Sequence, residues 1–191
     1  MRVIALHGYT QRGAVLADAL AELTLPAGSE LVCPDAPFAC DPKKHPAGAL
    51  TWWKATDDGS EYHGWETTRD LLRTWLAESP GPTAILGFSQ GAMVAAAACA
   101  WSLAGEIPRV KCAVMVAGTV PRAVALRPLF QAPVDVPSLH VWGQRDPHAK
   151  TARVLAELFV NAEMREWDGP HVMPTRGPGA VAIVDFLGRQ A

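Results

Sequence analysis

Short apolar segments alternate with segments of helical periodicity, and this alternation restricts the possible folds more than any other feature of the chain. The strand-like segments are Val3–Leu6, Leu31–Cys33, Thr83–Phe88, Cys112–Ala117, Ser138–Trp142 and Glu163–Trp167. The segments with apolar residues at three- and four-residue spacing are Gly13–Leu23, Thr67–Leu76, Gln90–Leu103, Ala149–Phe159 and Gly179–Leu187. Apolar strands separated by helices are typical of a parallel sheet that is covered on both faces. The pattern therefore predicts an α/β fold, a three-layer α/β/α sandwich with a mostly parallel sheet of about six strands.

The longest uncharged stretch of the chain lies in its middle. The 27 residues of Ser79–Gly105 contain no Asp, Glu, Lys or Arg. A membrane-spanning helix needs ~20 consecutive apolar residues. Here Pro80, Pro82 and the Gly87–Gly91 segment interrupt the stretch, so that only Ala92–Trp101 is continuously apolar. We therefore expect part of a buried core and no membrane span.

Length and composition indicate the general class of protein. A chain of 191 residues is expected to form one domain, residues 1–191. Its formal net charge of −2 gives no electrostatic reason to bind nucleic acid or an anionic membrane surface. Val3–Leu6 is too short for the core of a signal peptide, and the four cysteines show no metal-binding spacing. We expect a cytoplasmic protein with reduced thiols and no bound metal, and the sequence leaves the oligomeric state open.

One connection is much longer than the others. Residues 36–66 contain three prolines and five aromatic residues, namely Phe38, Trp52, Trp53, Tyr62 and Trp65. A connection of this length in a compact domain is usually functional or disordered, and the aromatic content argues against disorder. Two compatible interpretations remain. The segment forms a small core against the sheet, or it is a cap in which Phe38, Trp52, Trp53 and Tyr62 line an apolar substrate pocket.

The segment Gly87-Phe88-Ser89-Gln90-Gly91 fits the pattern G-x-S-x-G between a buried strand and an alanine-rich helix. This is the context of a nucleophile elbow, in which a strained turn exposes a serine hydroxyl above the sheet. The next N–H, that of Gln90, then points at a developing oxyanion. The alternative is a phosphate-binding loop at a helix N-terminus. Because no Lys follows the glycines as in a P-loop, we interpret Ser89 as a nucleophile.

A serine nucleophile needs a base and an acid that orients the base, and in this kind of fold they follow as Ser, then Asp or Glu, then His. Asp146 lies just past the predicted strand Ser138–Trp142 and is the candidate acid; a turn or helix-capping role before Pro147 is the alternative. His171 lies in a Gly- and Pro-rich loop after the last predicted strand and is the candidate base. His148 competes with it, but lies only two residues from Asp146.

The loop after the first strand reads His7-Gly8-Tyr9-Thr10-Gln11-Arg12-Gly13. A loop at this place can supply the second N–H of an oxyanion hole, and the N–H of Tyr9 is the candidate. His7 then has a structural role and supports the loop. The predicted oxyanion hole consists of Tyr9 and Gln90.

These motifs together resemble the α/β-hydrolase superfamily and, within it, the family of serine hydrolases (FSH). The resemblance covers nearly the whole chain and rests on Leu6–Gly13, Asp35-Ala36-Pro37, Trp52-Trp53, Gly87–Ala92, Gly143, Asp146 and His171. Acyl-protein thioesterases and small carboxylesterases share the Gly-Phe-Ser-Gln-Gly segment, but they are less similar in the first loop and in residues 36–66. The chain departs from the family at Gly169-Pro170-His171, where Gly-Gly-His is more usual.

The resemblance implies a compact α/β-hydrolase fold in which Ser89, Asp146 and His171 form a catalytic triad, with Tyr9 and Gln90 as oxyanion donors. It implies hydrolysis of carboxylic esters or thioesters of small to medium acyl groups, without a cofactor. The expected partner is a small-molecule acyl ester or thioester. Two alternatives remain open, a non-catalytic binding module with this fold and acyltransferase or peptidase chemistry on the same residues.

Overall fold

The central sheet consists of parallel strands that follow the predicted apolar segments. The computed structural model describes residues 1–79 and 81–191. Within them the sheet strands are β1 (Arg2–Leu6), β2 (Glu30–Val32), β3 (Thr83–Phe88), β4 (Cys112–Val116), β5 (Ser138–Gly143) and β6 (Glu163–Trp167). All neighbours pair in parallel, in the order β6-β5-β4-β3-β1-β2. The predicted six-stranded α/β sheet is confirmed.

Helices cover both faces of this sheet. They are α1 (Gly13–Leu20), α2 (Trp65–Ala77), α3 (Gln90–Leu103), α4 (Ala149–Ala156) and α5 (Gly177–Gln190). A 3₁₀ helix at Val124–Phe130 adds an element that the apolar periodicity does not predict. Because side chains alternate along a strand, Ile4 and Leu6 of β1 pack in the core with α2, α3 and α4, whereas Val3 and Ala5 pack in the core with α1 and α5. The result is the predicted three-layer arrangement.

Two helices end earlier than their apolar periodicity predicts. The pattern continues to Leu23 after α1 and to Phe159 after α4, yet the helices end at Leu20 and Ala156. The N–H of Leu23 donates to the carbonyl of Leu20 at 3.0 Å, and that of Phe159 donates to Ala156 at 3.0 Å. Bonds to the residue three positions earlier form a tighter final turn. The apolar spacing therefore continues through a turn that is no longer α-helical.

The uncharged stretch Ser79–Gly105 contains the whole of β3 and of α3. Each residue of β3 is buried, and so are nearly all residues of α3. A helix that is apolar on all sides belongs in a protein core, and α3 packs against the sheet in the same core cluster as α2. In the described part of the chain, no helix combines the length and the hydropathy that crossing a bilayer requires.

Residues 36–66 contain two short antiparallel hairpins outside the central sheet and, at residues 65–66, the start of α2. Phe38–Ala39 pairs with Leu50–Thr51, and Lys54–Ala55 pairs with Tyr62–His63. We refer to residues 36–66 as the insertion.

The strand order reverses between β1 and β3, and this places two loops side by side. The chain leaves β1 toward β2 on one side and returns to β3 on the other. In open parallel sheets, ligands bind at such a switch point, outside the carboxyl ends of the strands. The loop at residues 7–12 and the turn at Ser89 both lie there, since they follow β1 and β3 directly.

Candidate active site

Ser89 occupies a strained turn between β3 and α3. Its backbone has φ 53° and ψ −114°, a conformation that residues other than glycine rarely adopt. The N–H of Ser89 donates to the carbonyl of Val116 at 2.8 Å, so the turn is held by the neighbouring strand. A Cβ atom at Gly91 would lie 2.0 Å from the carbonyl oxygen of Leu6, and one at Gly87 would lie 2.2 Å from that of Gly91. Glycine at these positions therefore allows the strand and helix to approach closely enough to form the elbow.

The structure brings the three predicted catalytic side chains together. Nε2 of His171 lies 3.0 Å from Oγ of Ser89, and Nδ1 of His171 lies 2.7 Å from Oδ2 of Asp146. A carboxylate oxygen can only accept here, so we place the ring proton on Nδ1, which leaves Nε2 free to accept from the serine hydroxyl. The side chain of Asp146 is 0% exposed and that of His171 is 28% exposed. The chain of contacts thus runs from a fully buried carboxylate to a hydroxyl in a cavity.

Backbone contacts hold the loops that carry Asp146 and His171. The N–H of Arg145 donates to the carbonyl of Gly169 at 3.0 Å, which joins the two loops directly. Oδ1 of Asp146 accepts the N–H of His148 at 2.7 Å, so the acid also begins the turn before α4. His148 itself lies edge-on to His171, with ring centroids 5.3 Å apart. Asp146 therefore contacts His171 through one carboxylate oxygen and forms the turn before α4 through the other.

His7 supports the loop after β1. Its Nδ1 donates to the carbonyl of Gly8 at 2.8 Å, and its Nε2 accepts the N–H of Ala36 at 3.0 Å. Burial lowers the pKa of His7 below its ordinary value, which favours the neutral imidazole that this pair of bonds requires. The carbonyl of His7 accepts Nε1–H of Trp52 at 2.8 Å. His7 therefore joins the end of β1 to the insertion.

The N–H groups of Tyr9 and Gln90 are available to a ligand. In residues 1–79 and 81–191, no acceptor is hydrogen-bonded to the N–H of Tyr9. Gln90 is the first residue of α3, and an N–H at that position has no partner within its helix. Both residues line the same cavity as Ser89. The two residues predicted as oxyanion donors thus lie at the same cavity as the predicted nucleophile.

Two adjoining cavities lie beside Ser89. The nucleophile cavity, of about 560 Å³, is lined by Ser89, His148 and residues of the β4–3₁₀ connection and α4. The insertion cavity, of about 690 Å³, is lined largely by the two hairpins. The residues that line both are Tyr9, Gln90, Met93 and Arg122. The two cavities therefore adjoin each other along these four residues.

The four predicted pocket residues separate into two pairs. Trp53 and Tyr62 line the insertion cavity and stack on each other with centroids 4.7 Å apart. Trp52 and Phe38 line neither cavity. Trp52 is 0% exposed; its ring lies near those of His7 and Trp75, and its Nε1–H donates to the carbonyl of His7. Phe38 packs against Gly64, where a Cβ would lie 2.4 Å from its ring. The insertion is therefore partly a small core and partly a pocket wall.

Comparison with known proteins assigns the chain to a family. The model of the serine hydrolase family FSH1 matches residues 1–183. The chain belongs to the FSH1 family of serine hydrolases. An esterase of Anopheles gambiae is 30% identical over 98% of this chain and 77% of its own length. Esterase OVCA2 of Homo sapiens is 30% identical over 98% of this chain and 95% of its own length.

Solved structures of other proteins share the shape of this chain. Acyl-protein thioesterase 2 of Zea mays superimposes with a TM-score of 0.81 at 19% identity, over 99% of this chain and 93% of that one. At this identity the likeness shows the fold. For this FSH1 family member, it confirms the predicted α/β-hydrolase architecture.

The side chain of Gln90 has a role that the motif alone does not reveal. Its Oε1 accepts the N–H of Trp52 at 3.1 Å, and its Nε2 donates to the carbonyl of Trp53 at 3.3 Å. The hydroxyl of Thr51 lies 3.0 Å from the same Oε1. The elbow residue after the serine therefore holds the insertion in this FSH1 protein. G-x-S-x-G leaves this position unspecified, so no sequence signal indicated it.

In the described part of the chain, no group of three or more His, Cys, Asp or Glu side chains is arranged to hold a metal ion. The free cysteines are Cys33, Cys40, Cys99 and Cys112. Burial raises the pKa of Cys33 and that of Cys112 to about 11. These two thiols are therefore protonated near neutral pH and unreactive as nucleophiles.

Proposed function

We propose that this FSH1 family member hydrolyses carboxylic esters or thioesters of small to medium acyl groups through an acyl-enzyme on Ser89. One observation carries the proposal. A serine at a positive-φ elbow lies 3.0 Å from an imidazole whose other nitrogen lies 2.7 Å from a buried carboxylate. This is the arrangement in which a weak hydroxyl nucleophile is activated by a neighbouring base.

In the first step His171 accepts the proton of Ser89 through Nε2 while Oγ attacks the substrate carbonyl carbon. Charge then develops on the carbonyl oxygen. The N–H groups of Tyr9 and Gln90 are the candidate donors to that oxygen, because within residues 1–79 and 81–191 neither has a hydrogen-bond acceptor. Removing one such donor in other enzymes costs ~10²–10³ in kcat.

Collapse of the tetrahedral intermediate transfers the proton from His171 to the leaving alcohol or thiol. Water then attacks the acyl-enzyme with His171 again as the base, and the carboxylic acid is released. Asp146 stays ionised and orients the imidazole through Nδ1. Its second oxygen is engaged by the N–H of His148 at 2.7 Å, so the carboxylate cannot rotate away. Each step is assigned to a group of this chain.

We also propose that the insertion is a fixed wall of the substrate site. Trp52 donates to the carbonyl of His7, and the hydroxyl of Thr68 on α2 donates to the carbonyl of Trp52. Gln90 adds bonds to Trp52 and Trp53. Each of the two cavities falls within the volume range of small-molecule sites. A wall held this way favours substrates of limited size over polymers.

The proposal is tested with Ser89→Ala and a series of p-nitrophenyl esters and matched thioesters. We expect the parent to hydrolyse short esters and to be labelled by a fluorophosphonate probe at Ser89. The variant should lose at least about 10⁴-fold in kcat and all labelling, because the covalent step is removed.

Ser102→Ala is the matched control, since Ser102 lies in the same helix, α3, away from the cavities. It should retain activity and labelling. Circular dichroism establishes that both variants are folded. Near-parental hydrolysis by folded Ser89→Ala would contradict the assignment of the nucleophile. A parent that neither reacts with the probe nor hydrolyses any ester would instead be a binding module.

A further inference from the structure

Arg122 lies where the nucleophile cavity and the insertion cavity meet. Of the residues that line both, it alone is charged. Within residues 1–79 and 81–191, eight arginines form ion pairs at up to 4.0 Å. Arg122 forms neither such an ion pair nor a side-chain hydrogen bond there. Arg122 is exposed, and the donors of its guanidinium are not bonded to any group in the described residues.

The position of this guanidinium is determined by the insertion. A Cβ at Gly59 would lie 2.4 Å from a terminal nitrogen of Arg122 and 2.8 Å from its Cζ, so the guanidinium rests directly on the Gly59 backbone. The N–H of Arg122 donates to the hydroxyl of Tyr62 at 3.0 Å. Tyr62 in turn stacks on Trp53. Backbone and side chain of Arg122 are thus both seated against the second hairpin.

The surroundings of Arg122 combine an apolar wall with charge at its border. Trp53, Tyr62 and Met93 provide apolar surface in the insertion cavity. Lys44 and Lys54 also line this cavity, together with the carboxylates of Asp41 and Asp57. These four charged residues belong to the insertion cavity only, whereas Arg122 also reaches the cavity of Ser89. An apolar segment that ends in an anion matches this distribution.

We propose that Arg122 binds a carboxylate carried by the substrate, so that the preferred substrates are anionic esters or thioesters with an apolar segment between the scissile bond and the charge. The inference rests on the proposed function. A guanidinium offers two parallel N–H donors that match a carboxylate in geometry and charge. Arg122 acts on specificity, and the reaction at Ser89 proceeds without it.

The test compares esters that differ only in charge. One arm uses p-nitrophenyl monoesters of adipic, pimelic and suberic acid, each against its methyl-capped neutral counterpart. A second arm places the carboxylate on the leaving group, with 4-(butanoyloxy)benzoate against its methyl ester. The arm that shows a preference identifies which side of the scissile bond carries the anion, and the diacid series gives its distance.

We expect the parent to prefer the anionic member of one arm by about tenfold in kcat/KM, through a lower KM at similar kcat. Arg122→Gln should abolish the preference and leave the neutral esters within about twofold of the parent. Arg122→Lys should retain part of it, because charge remains while the paired donors are lost. The preference should weaken in 1 M NaCl, where charges on a partly exposed site are screened.

Arg127→Gln is the matched control, since Arg127 lies in the adjoining 3₁₀ helix and lines neither cavity. It should behave as the parent on every ester. Equal kcat/KM for charged and neutral esters in the parent, or a preference that survives Arg122→Gln, would overturn the inference while the esterase proposal stands.

Binding without turnover separates the two proposals. Monomethyl pimelate and dimethyl pimelate are titrated calorimetrically into Ser89→Ala, with and without Arg122→Gln. Tighter binding of the anion that disappears with Arg122 supports the carboxylate site even if no ester is hydrolysed. Equal binding of the two ligands contradicts it, whatever the activity of the parent.

Discussion

The elbow and the insertion both line the candidate site, but they differ in charge and in burial. The β3–α3 region is uncharged and almost completely buried, and backbone contacts set its geometry. The insertion is rich in exposed charged residues and has strands of only two residues. Nearly every residue of the elbow is constrained by a neighbour, whereas most residues of the hairpins contact solvent.

The difference assigns separate roles to the two regions. Backbone N–H groups and a strained serine, which the elbow supplies, are needed by any acyl transfer, whatever the substrate. Side chains such as Trp53 and Tyr62, which the insertion supplies, determine what fits beside the serine. A change in the elbow should therefore affect folding and all substrates together. A change in the insertion or its anchor should leave the chemistry intact.

The largest effect is expected for Gly91→Ala in the elbow. The new Cβ would lie 2.0 Å from the Leu6 carbonyl, and neither β1 nor α3 can move without disturbing the sheet. We expect a loss of about 3 kcal/mol in the free energy of unfolding, or a fall of roughly 10 °C in Tm. Thermal and urea unfolding measure the change.

Gly188→Ala is the control for this substitution. Gly188 lies in α5, and a Cβ there would meet no atom within 4 Å. Alanine favours the helix more than glycine does, so a gain of about 0.5 kcal/mol is expected. Similar losses for the two variants would show that the close approach at Gly91 is unimportant.

A smaller effect is expected for Gln90→Leu, which removes the link between the regions. The N–H of Trp52 loses its buried acceptor, while the carbonyl of Trp53 keeps the hydroxyl of Thr51, which donates to it at 2.6 Å, so we expect a cost of about 2 kcal/mol. The backbone N–H of residue 90 remains, so fluorophosphonate labelling of Ser89 should continue. Hydrogen exchange at residues 51–53 should become faster, which mass spectrometry detects.

Gln131→Leu, at an exposed glutamine, controls for the loss of a polar side chain. It should change neither hydrogen exchange nor stability. Unchanged exchange at residues 51–53 in Gln90→Leu would show that the insertion is held by its other contacts alone.

The smallest effect is a difference in how folding stability depends on pH between the central sheet with its helices, which we call the scaffold, and the insertion. Burial lowers the pKa of His140, on β5, from 6.5 to about 3. Below pH 6.5 the unfolded chain takes up this proton and the folded chain does not, so stability falls as the pH falls. The expected contribution is about 1.4 kcal/mol at pH 5.5. His140→Leu should lose less stability than the parent between pH 7.5 and 5.5, whereas the exposed His63→Leu should match the parent.

Asp58, in the turn of the second hairpin, should respond in a different range. The N–H of Ser60 and the hydroxyls of Thr56 and Ser60 lower its pKa to about 2. The stabilisation that Asp58 gives the turn is present above its ordinary pKa of 3.8 and is lost only as the pH falls toward 2. Unfolding curves at pH 5.5 therefore report on the scaffold and not on this turn.

The sequence predicted the scaffold well because local patterns determine it. Continuous apolar runs gave the strands of the sheet, and helical periodicity gave the five α-helices within a few residues. The order Ser89, Asp146, His171 selected three residues that the structure brings within hydrogen-bond distance. Each of these signals lies within a short window of sequence or in the order of a few motifs.

The insertion was predicted less well because contacts between distant residues determine it. Nothing in the local sequence distinguishes Trp52, which donates to His7, from Trp53, which lines the cavity. The position of Arg122 depends on the absence of a side chain at Gly59, which is far from it in sequence. Such pairings become visible only once the chain is folded.

The contact between Ser89 and His171 joins residues that are 82 positions apart, and the contact between Asp146 and His171 joins residues that are 25 positions apart. Contacts between residues so distant in sequence form later than local helices, because the entropy of ordering the intervening chain must first be offset, so we expect the three side chains to meet only when most of the sheet has assembled. A covalent probe for Ser89 should therefore count native molecules and ignore collapsed intermediates. Refolding followed by such labelling would report the final assembly step, while far-ultraviolet circular dichroism would report the earlier appearance of the helices.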